Sequence, residues 1–414
     1  MKMNKLKEYF LKDLYEISSG ISTKPEQAGY GYPFISFRTI FNNWILPSEL
    51  NDLMNTSKIE REKYSIKKGD ILLTRTSEKI DELAMSSVAL KDYENTTFSG
   101  FAKRLRPIQT DITYDKFMAF FLRSPYFREI IDKKTTMTLR ASFNETLFSQ
   151  IKILLPEYKT QVKIGELLCK MEEKIKLNNK INSELENMAK TIYDYWFLQF
   201  EFPNDEGKPY KSSGGKMVWN EELKKEIPEG WEVTELDKIL KRNKIAILDY
   251  KQYYDTIDLS VMPSESINLN KINSSFNFTT NLYELKEGDI LFGSIRPYLK
   301  KCGISSYNGS FTGTVYSYTP YKYFDFNFCI SLMSSNNFFD YAIKVSKGTK
   351  MPIVSSEDLM KYKVPYSKEI SLKFNNFLNF KNLFIKNNQE SQELTSLRDY
   401  LLPLLMNGQV GFKD

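Results

Sequence analysis

From Pro156 onward, apolar residues fall three and four apart, at Leu168, Met171, Ile175, Leu185, Met188 and Ile192, with mostly polar residues between them. The pattern returns after Pro365, where Phe377, Phe380, Phe384, Leu394, Leu397 and Leu401 each lie 209 residues beyond their partners. Such spacing is the seam of an amphipathic helix packed against another helix. It predicts one helix over Pro156–Phe197 and a second over Pro365–Met406, each about 60 Å long given the rise of an α-helix. An asparagine pair at 178–179 recurs at 387–388, near the midpoint of each helix. A polar residue at a seam costs stability but fixes register, so Asn178 and Asn387 are expected to meet if the helices pair; solvent-facing asparagines fit the same pattern.

Ahead of each helical stretch the pattern changes to short β-branched and aromatic runs, such as Tyr32–Phe37, Asp70–Thr74 and Thr314–Thr319, which read as strands. Here too the chain repeats. Gly69-Asp70-Ile71-Leu72-Leu73 returns as Gly288-Asp289-Ile290-Leu291-Phe292, each a turn feeding a buried strand, and Tyr9–Leu14 corresponds to Trp231–Leu236. One helix is expected in each half, around Tyr114–Asp132 and Asn327–Val345. Turn formers from Pro203 to Gly215 separate the first long helix from the second half.

The predicted fold is therefore α+β. Strand-rich globular domains span 1–155 and 231–364, a central helix 156–198, a linker 199–230, and a second helix with its tail 365–414. Since the first helix leaves the first domain and ends near the second, the helices must run antiparallel if they pair. That gives a pseudo-twofold antiparallel coiled coil with one head at each end.

Composition narrows the function. The chain has 414 residues, 41% hydrophobic and 27% charged, enough for two buried cores. Its formal charge of +6 favours a polyanionic partner without demanding one. It has no histidine, the commonest general base and zinc ligand. Cys169, Cys302 and Cys329 are odd in number and far apart, which fits neither a disulfide framework nor a metal site; they are expected to be buried thiols. No Walker-type phosphate loop and no Pro-Pro pair occurs, and Glu172-Glu173-Lys174, which has the letters of a nuclease motif, falls on a predicted helix surface. No catalysis, cofactor or metal site is expected in the chain itself. No apolar run is long enough to span a membrane, and the first residues alternate charged with apolar instead of forming a signal peptide, so the expected location is the cytoplasm.

The segment from Trp196 to Val233, with Phe200-Glu201-Phe202-Pro203, Gly207-Lys208-Pro209-Tyr210 and Ile227-Pro228-Glu229-Gly230-Trp231, resembles the central region of a type I restriction-modification specificity subunit. Gly288–Tyr298 and Gly348–Ile353 resemble the recognition-domain segments of the same family. The resemblance implies two target recognition domains, each reading half of a bipartite site in double-stranded DNA, with the paired helices as a ruler. It implies partners as well: two adenine methyltransferase subunits and motor-nuclease subunits, which would hold S-adenosylmethionine, ATP and magnesium.

The residues offer their own candidates for DNA contact. Arg75, with Thr74 and Ser77, follows the Gly-Asp strand of the first half, and Arg296, with Ser294 and Tyr298, follows that of the second, so the two arginines read as counterparts. A guanidinium binds guanine O6 and N7 together or clamps a phosphate; a structural ion pair or a solvated loop arginine fits equally. In the run Lys103-Arg104-Leu105-Arg106, Lys103 and Arg104 suit phosphate contact or a solvated strand face. Arg140, Lys347 and Lys350 sit in polar loops and are candidates only as a group. A different class of function also fits, a coiled-coil adaptor whose duplicated heads bind proteins and not DNA. Salt-dependent duplex binding separates the two.

Overall fold

The computed structural model describes residues 6–411 apart from 78, 80, 81, 136–140, 250 and 251. It divides into two units, one of the residues up to Glu173 together with those from Leu394 onward, and one of Lys174–Glu393.

Unit one is built on a four-stranded antiparallel sheet in the order Tyr15–Ser19, Ala102–Pro107, Ile71–Thr74, Ser86–Val88. Ile71–Thr74 is buried at every position, as a central strand covered on both faces must be. A second sheet sets Ala28–Ile35 between Leu53–Met54 and a parallel partner, Thr97–Phe98. Lys7–Phe10 pairs with Lys152–Leu155 and closes the globular part.

Unit two repeats the main sheet strand for strand. Its main sheet runs Leu240–Asn243, Val315–Pro320, Ile290–Gly293, Cys302–Ile304. Its second sheet again holds a parallel pair, Asp255–Ile257 with Gly309–Thr312, and adds Leu282–Leu285 at one edge. Glu232–Glu235 pairs with Lys363–Tyr366, as Lys7–Phe10 does with its partner.

The Gly-Asp turn is the anchor of both copies. Gly69 and Gly288 take left-handed backbone, with φ of 86° and 82°, which glycine adopts without strain. The buried Asp70 and Asp289 carboxylates each accept the backbone N–H three residues back, from Lys67 at 2.8 Å and Lys286 at 3.1 Å. The second acceptor duty differs. Arg106 forms a bidentate pair with Asp70, at 2.8 and 2.6 Å, whereas Asp289 is satisfied by neutral donors, Ser317 at 2.9 Å, Thr319 at 2.7 Å and Asn243 at 3.1 Å.

Each expected single helix after the sheet is two. Asp115–Phe121 and Pro125–Lys134 are separated by Leu122, Arg123 and Ser124, and Phe326–Met333 and Asn336–Val345 by Ser334 and Ser335. Ser124 and Ser335 adopt extended backbone, and their hydroxyls cap the following helix, on Phe127 N–H and Phe338 N–H.

The first long helix runs Tyr158–Tyr193 and widens at its end into a π-helical turn, Asp194–Leu198. Gly165 lets it lie against the Asp115–Phe121 helix: a Cβ there would sit 2.7 Å from Phe117 N. The second long helix departs from the expected continuous rod. It is broken at Asn379, in left-handed backbone with φ of 35°, into Lys368–Leu378 and Phe380–Met406. Phe377 therefore lies on the shorter piece and is 65% exposed.

The linker is folded as part of unit two. Met217–Asn220 and Lys225–Pro228 form a hairpin. Phe200, Phe202 and Ile227 are buried, and the rings of Phe202, Tyr210 and Trp231 stack with centroids 4.6 and 5.3 Å apart. Cys169, Cys302 and Cys329 are all buried free thiols. Among the described residues, no helix is long and apolar enough to cross a membrane.

Candidate nucleic-acid interface

The chain leaves the Gly-Asp strand in the same way in both units. Arg75 N–H donates to Phe101 carbonyl (2.8 Å), and Arg75 carbonyl accepts Phe143 N–H (2.7 Å). In unit two Ser294 N–H donates to Thr314 carbonyl (3.0 Å), and Ser294 carbonyl accepts Val354 N–H (3.0 Å). The structural counterpart of Arg75 is therefore Ser294, not Arg296; Arg296 stands where unit one has Ser77. The two arginines follow equivalent strands but sit two residues apart, because the repeat holds in the backbone pairing and not in residue type.

Several expected contact residues turn inward. Thr74 is buried, its hydroxyl donating to Glu82 carbonyl (2.7 Å) and accepting Met85 N–H (2.9 Å). Ser77 is buried against Glu82 Oε2 (3.0 Å), and Ser294 against Thr314 carbonyl (2.8 Å). Lys103 and Arg104 are also buried, contrary to an exposed basic strand face. Their strand lies inside the sheet, between Tyr15–Ser19 and Ile71–Thr74, and its first four residues are buried, so both faces are covered there. Lys103 Nζ donates to Ser19 Oγ (2.9 Å) and lies 3.8 Å from Glu145; Arg104 Nη1 donates to Ser65 carbonyl (2.5 Å), and burial pulls its pKa below the ordinary arginine value. These cations hold the sheet and its turn together.

Other candidates face solvent. Arg75 is exposed, with one long contact to Gly100 carbonyl (3.4 Å). Arg296, Tyr298, Lys347 and Lys350 are exposed in unit two. The structure places them on two loops pinned side by side: Arg296 N–H donates to Pro352 carbonyl (2.7 Å), and Ile353 bridges to both Ile295 and Lys347. Arg296 itself has left-handed backbone with φ of 52°, a conformation unfavourable for a bulky side chain and a mark of a constrained site. Arg140 lies outside the described residues.

The helix seam is more polar than its apolar periodicity suggests. In unit one Leu168 and Met171 are buried, and Leu394 and Leu401 are half-buried. Leu397 is 44% exposed, and Arg398 takes the inward place, its guanidinium paired with Glu172 and lying 5.1 Å from the Trp44 ring. In unit two Phe380 and Phe384 are buried, and Ile175, Leu185 and Ile192 are half-buried. Met188 is 53% exposed; the inward stripe passes instead through Asn178, Asn182, Glu186 and Ala189 on one helix and Asn387 and Ser391 on the other.

The asparagines interlock. Asn178 Nδ2 donates to Asn387 carbonyl (3.3 Å) and to Glu390 (2.8 Å); Asn387 Nδ2 donates to Asn182 Oδ1 (2.9 Å); Asn182 Nδ2 donates to Asn388 Oδ1 (2.8 Å). The helix segments of this unit run antiparallel. The same helices fasten the globular part: Asn388 donates to Ser306 Oγ (3.0 Å), and buried Glu186 accepts Ser266 Oγ–H (2.9 Å) and Ile267 N–H (3.2 Å). Asn182 and Glu186 escaped sequence reasoning, since their partners are distant in sequence, and Asn388 stood out only as part of the repeated pair. Among the described residues, no group of three His, Cys, Asp or Glu side chains is placed to hold a metal ion.

Residues 3–187 match the sequence model of the family described as the type I restriction modification DNA specificity domain. A curated relative, the type I restriction enzyme MjaIX specificity subunit of Methanocaldococcus jannaschii, is 25% identical over 438 residues, covering 98% of this chain and 93% of that protein. The chain is similar to type I specificity subunits along nearly its whole length, and its first half carries the match to the DNA specificity domain. The HindI specificity subunit of Haemophilus influenzae is 27% identical over 204 residues, which is 48% of this chain and 42% of that protein. A crystal structure of the type I restriction-modification system S subunit from M. genitalium has the same fold, with a TM-score of 0.58 at 13% identity, covering 100% of this chain and 98% of that one.

Proposed function

We propose that this chain is the DNA-reading subunit of a type I restriction-modification enzyme, in which unit one reads one half of a bipartite site in double-stranded DNA and unit two reads the other. The observation that carries this reading is the strand-for-strand duplication of the main sheet combined with different exposed side chains at the matching edge. Two copies of one scaffold with different edges suit two half-sites of different sequence. Arg75 in one unit and Arg296, Tyr298, Lys347 and Lys350 in the other are the contact residues of choice, being exposed donors on pinned backbone. The long helices set the spacing between half-sites. Adenine methyltransferase subunits, two per chain, and motor-nuclease subunits dock on this chain and carry out the chemistry, and S-adenosylmethionine, ATP and magnesium belong to those partners.

The test is duplex binding by the complex with its methyltransferase partner across a salt series. A reader that neutralises several phosphates loses roughly 10³-fold or more in affinity between about 50 and 200 mM salt. Binding that is insensitive to salt, or absent, overturns the proposal.

A further inference from the structure

The edge beside the Gly-Asp strand carries one pair of positions whose chemistry is opposite in the two units. In unit one Thr76 pairs with Ser142. In unit two the equivalent pair is Ile295 and Ile353, and Ile353 pairs also with Lys347. The backbone hydrogen bonds of Arg75 and Ser294 fix this equivalence, since each pair lies one residue along from them.

Ile353 is 47% exposed although bridges to Ile295 and Lys347 pin its backbone. Val354, next along the chain, is fully buried, and Met351, two residues before Ile353, is 49% exposed. Ile295 is half-buried beside them. The result is a small apolar face held open to solvent with exposed Lys347, Lys350 and Arg296 on the same two loops. The corresponding edge in unit one has hydroxyls, and Ser142 opens onto a polar cleft of about 300 Å³ with Lys134, Asn144, Thr146 and Gln150. One edge is suited to hydrogen bonding and the other to an apolar group next to negative charge. In a DNA major groove the only apolar group on a base edge is the thymine C5-methyl, and phosphates flank it.

On the proposed reading of unit two as the reader of one half-site, we infer that Ile353, supported by Ile295 and Met351, is a specificity-determining residue that packs against a thymine methyl in that half-site. The experiment uses the full chain in complex with its methyltransferase partner and duplexes carrying the mapped site. Each thymine of the two half-sites is replaced in turn by deoxyuridine, which removes the methyl and leaves base pairing intact. In one half-site, at least one such replacement lowers the methylation rate at limiting DNA by roughly tenfold. The Ile353→Ser complex methylates thymine and uracil duplexes at equal rates, and Ile353→Val, which keeps a branched apolar side chain, retains most of the preference. The uracil series on the unaltered chain and the valine variant decide the matter should the serine variant fail to fold. Equal rates on every uracil duplex with the unaltered chain, or full thymine preference in Ile353→Ser, overturn the inference and leave the DNA-reading proposal standing. A complex that methylates no bipartite site overturns both.

Discussion

Asn178 and Asn387, 209 residues apart, meet through a hydrogen bond from the Asn178 side-chain amide to the Asn387 backbone carbonyl. Asn387 passes its own amide to Asn182, and Asn182 passes its amide to Asn388, so four asparagines across two helix segments form one chain of donors and acceptors. Only one antiparallel register satisfies all of them, because a shift by one residue would turn half of the set out of the seam.

Replacing Asn182 with leucine removes both a donor and an acceptor from this chain and deprives Asn387 Nδ2 and Asn388 Oδ1 of their partner in a buried place. A loss of about 1–3 kcal/mol in unfolding free energy is expected. Denaturant unfolding measures it; a change no larger than that of Asn187→Leu, at an exposed position of the same helix, would mean that the network adds nothing.

Arg398 and Glu172 are nearly buried together in unit one, with side chains 12% and 11% exposed. Arg398→Met strands the carboxylate and is expected to cost about 3 kcal/mol or more. The surface pair Lys58–Glu62, 84% and 69% exposed, is the control, and Lys58→Met should leave the melting temperature nearly unchanged.

Leu402 and Leu405 lie in the core of unit one although they come from the far end of the chain. Leu402→Ala should destabilise by about 2–5 kcal/mol. Hydrogen exchange should place the opening in the first half of the sequence; protection lost only from Leu394 onward would contradict the shared core.

The three cysteines are poor nucleophiles in the folded chain. Burial pushes the Cys169 thiol up to about 12 and raises those of Cys302 and Cys329 as well. A thiol reagent at pH 8 should modify none of them until denaturant is added. Modification at native conditions with the kinetics of an open thiol would show a local opening that the packing does not predict.

Arg296→Ala should weaken recognition of one half-site by about 1–3 kcal/mol if the guanidinium contacts a base edge, and relax the sequence preference there. An equal loss on every sequence marks a phosphate contact instead. Arg104→Ala, by contrast, should lower thermal stability, since that side chain serves Ser65 inside the sheet.

Much of the fold was legible because repetition is itself a signal: the Gly-Asp turns, the long helices and the asparagine pairs all announced two copies. The seam was legible only in part. Met188 and Leu397 obeyed hydrophobic spacing yet lie outside, because Glu186 and Arg398 take the inward places with polar partners that periodicity cannot register. The break at Asn379 was hidden since asparagine fits a helix surface as readily as a left-handed corner. For contact residues, the sequence placed cations beside strands without saying which face each would take. Arg104 stands within a strand and Arg75 just after one; the packing around the sheet buries the first and leaves the second in water.

The central claim is that one chain carries two readers of one split site, and methylome sequencing of cells with and without the chain tests it most directly. The account predicts that a methylated motif of two short defined segments, separated by a spacer of unspecified sequence, appears only when the chain is present, and that deleting about four residues from each long helix changes the spacer length. An identical methylome in both cells, or a motif that is continuous and indifferent to helix length, would contradict it.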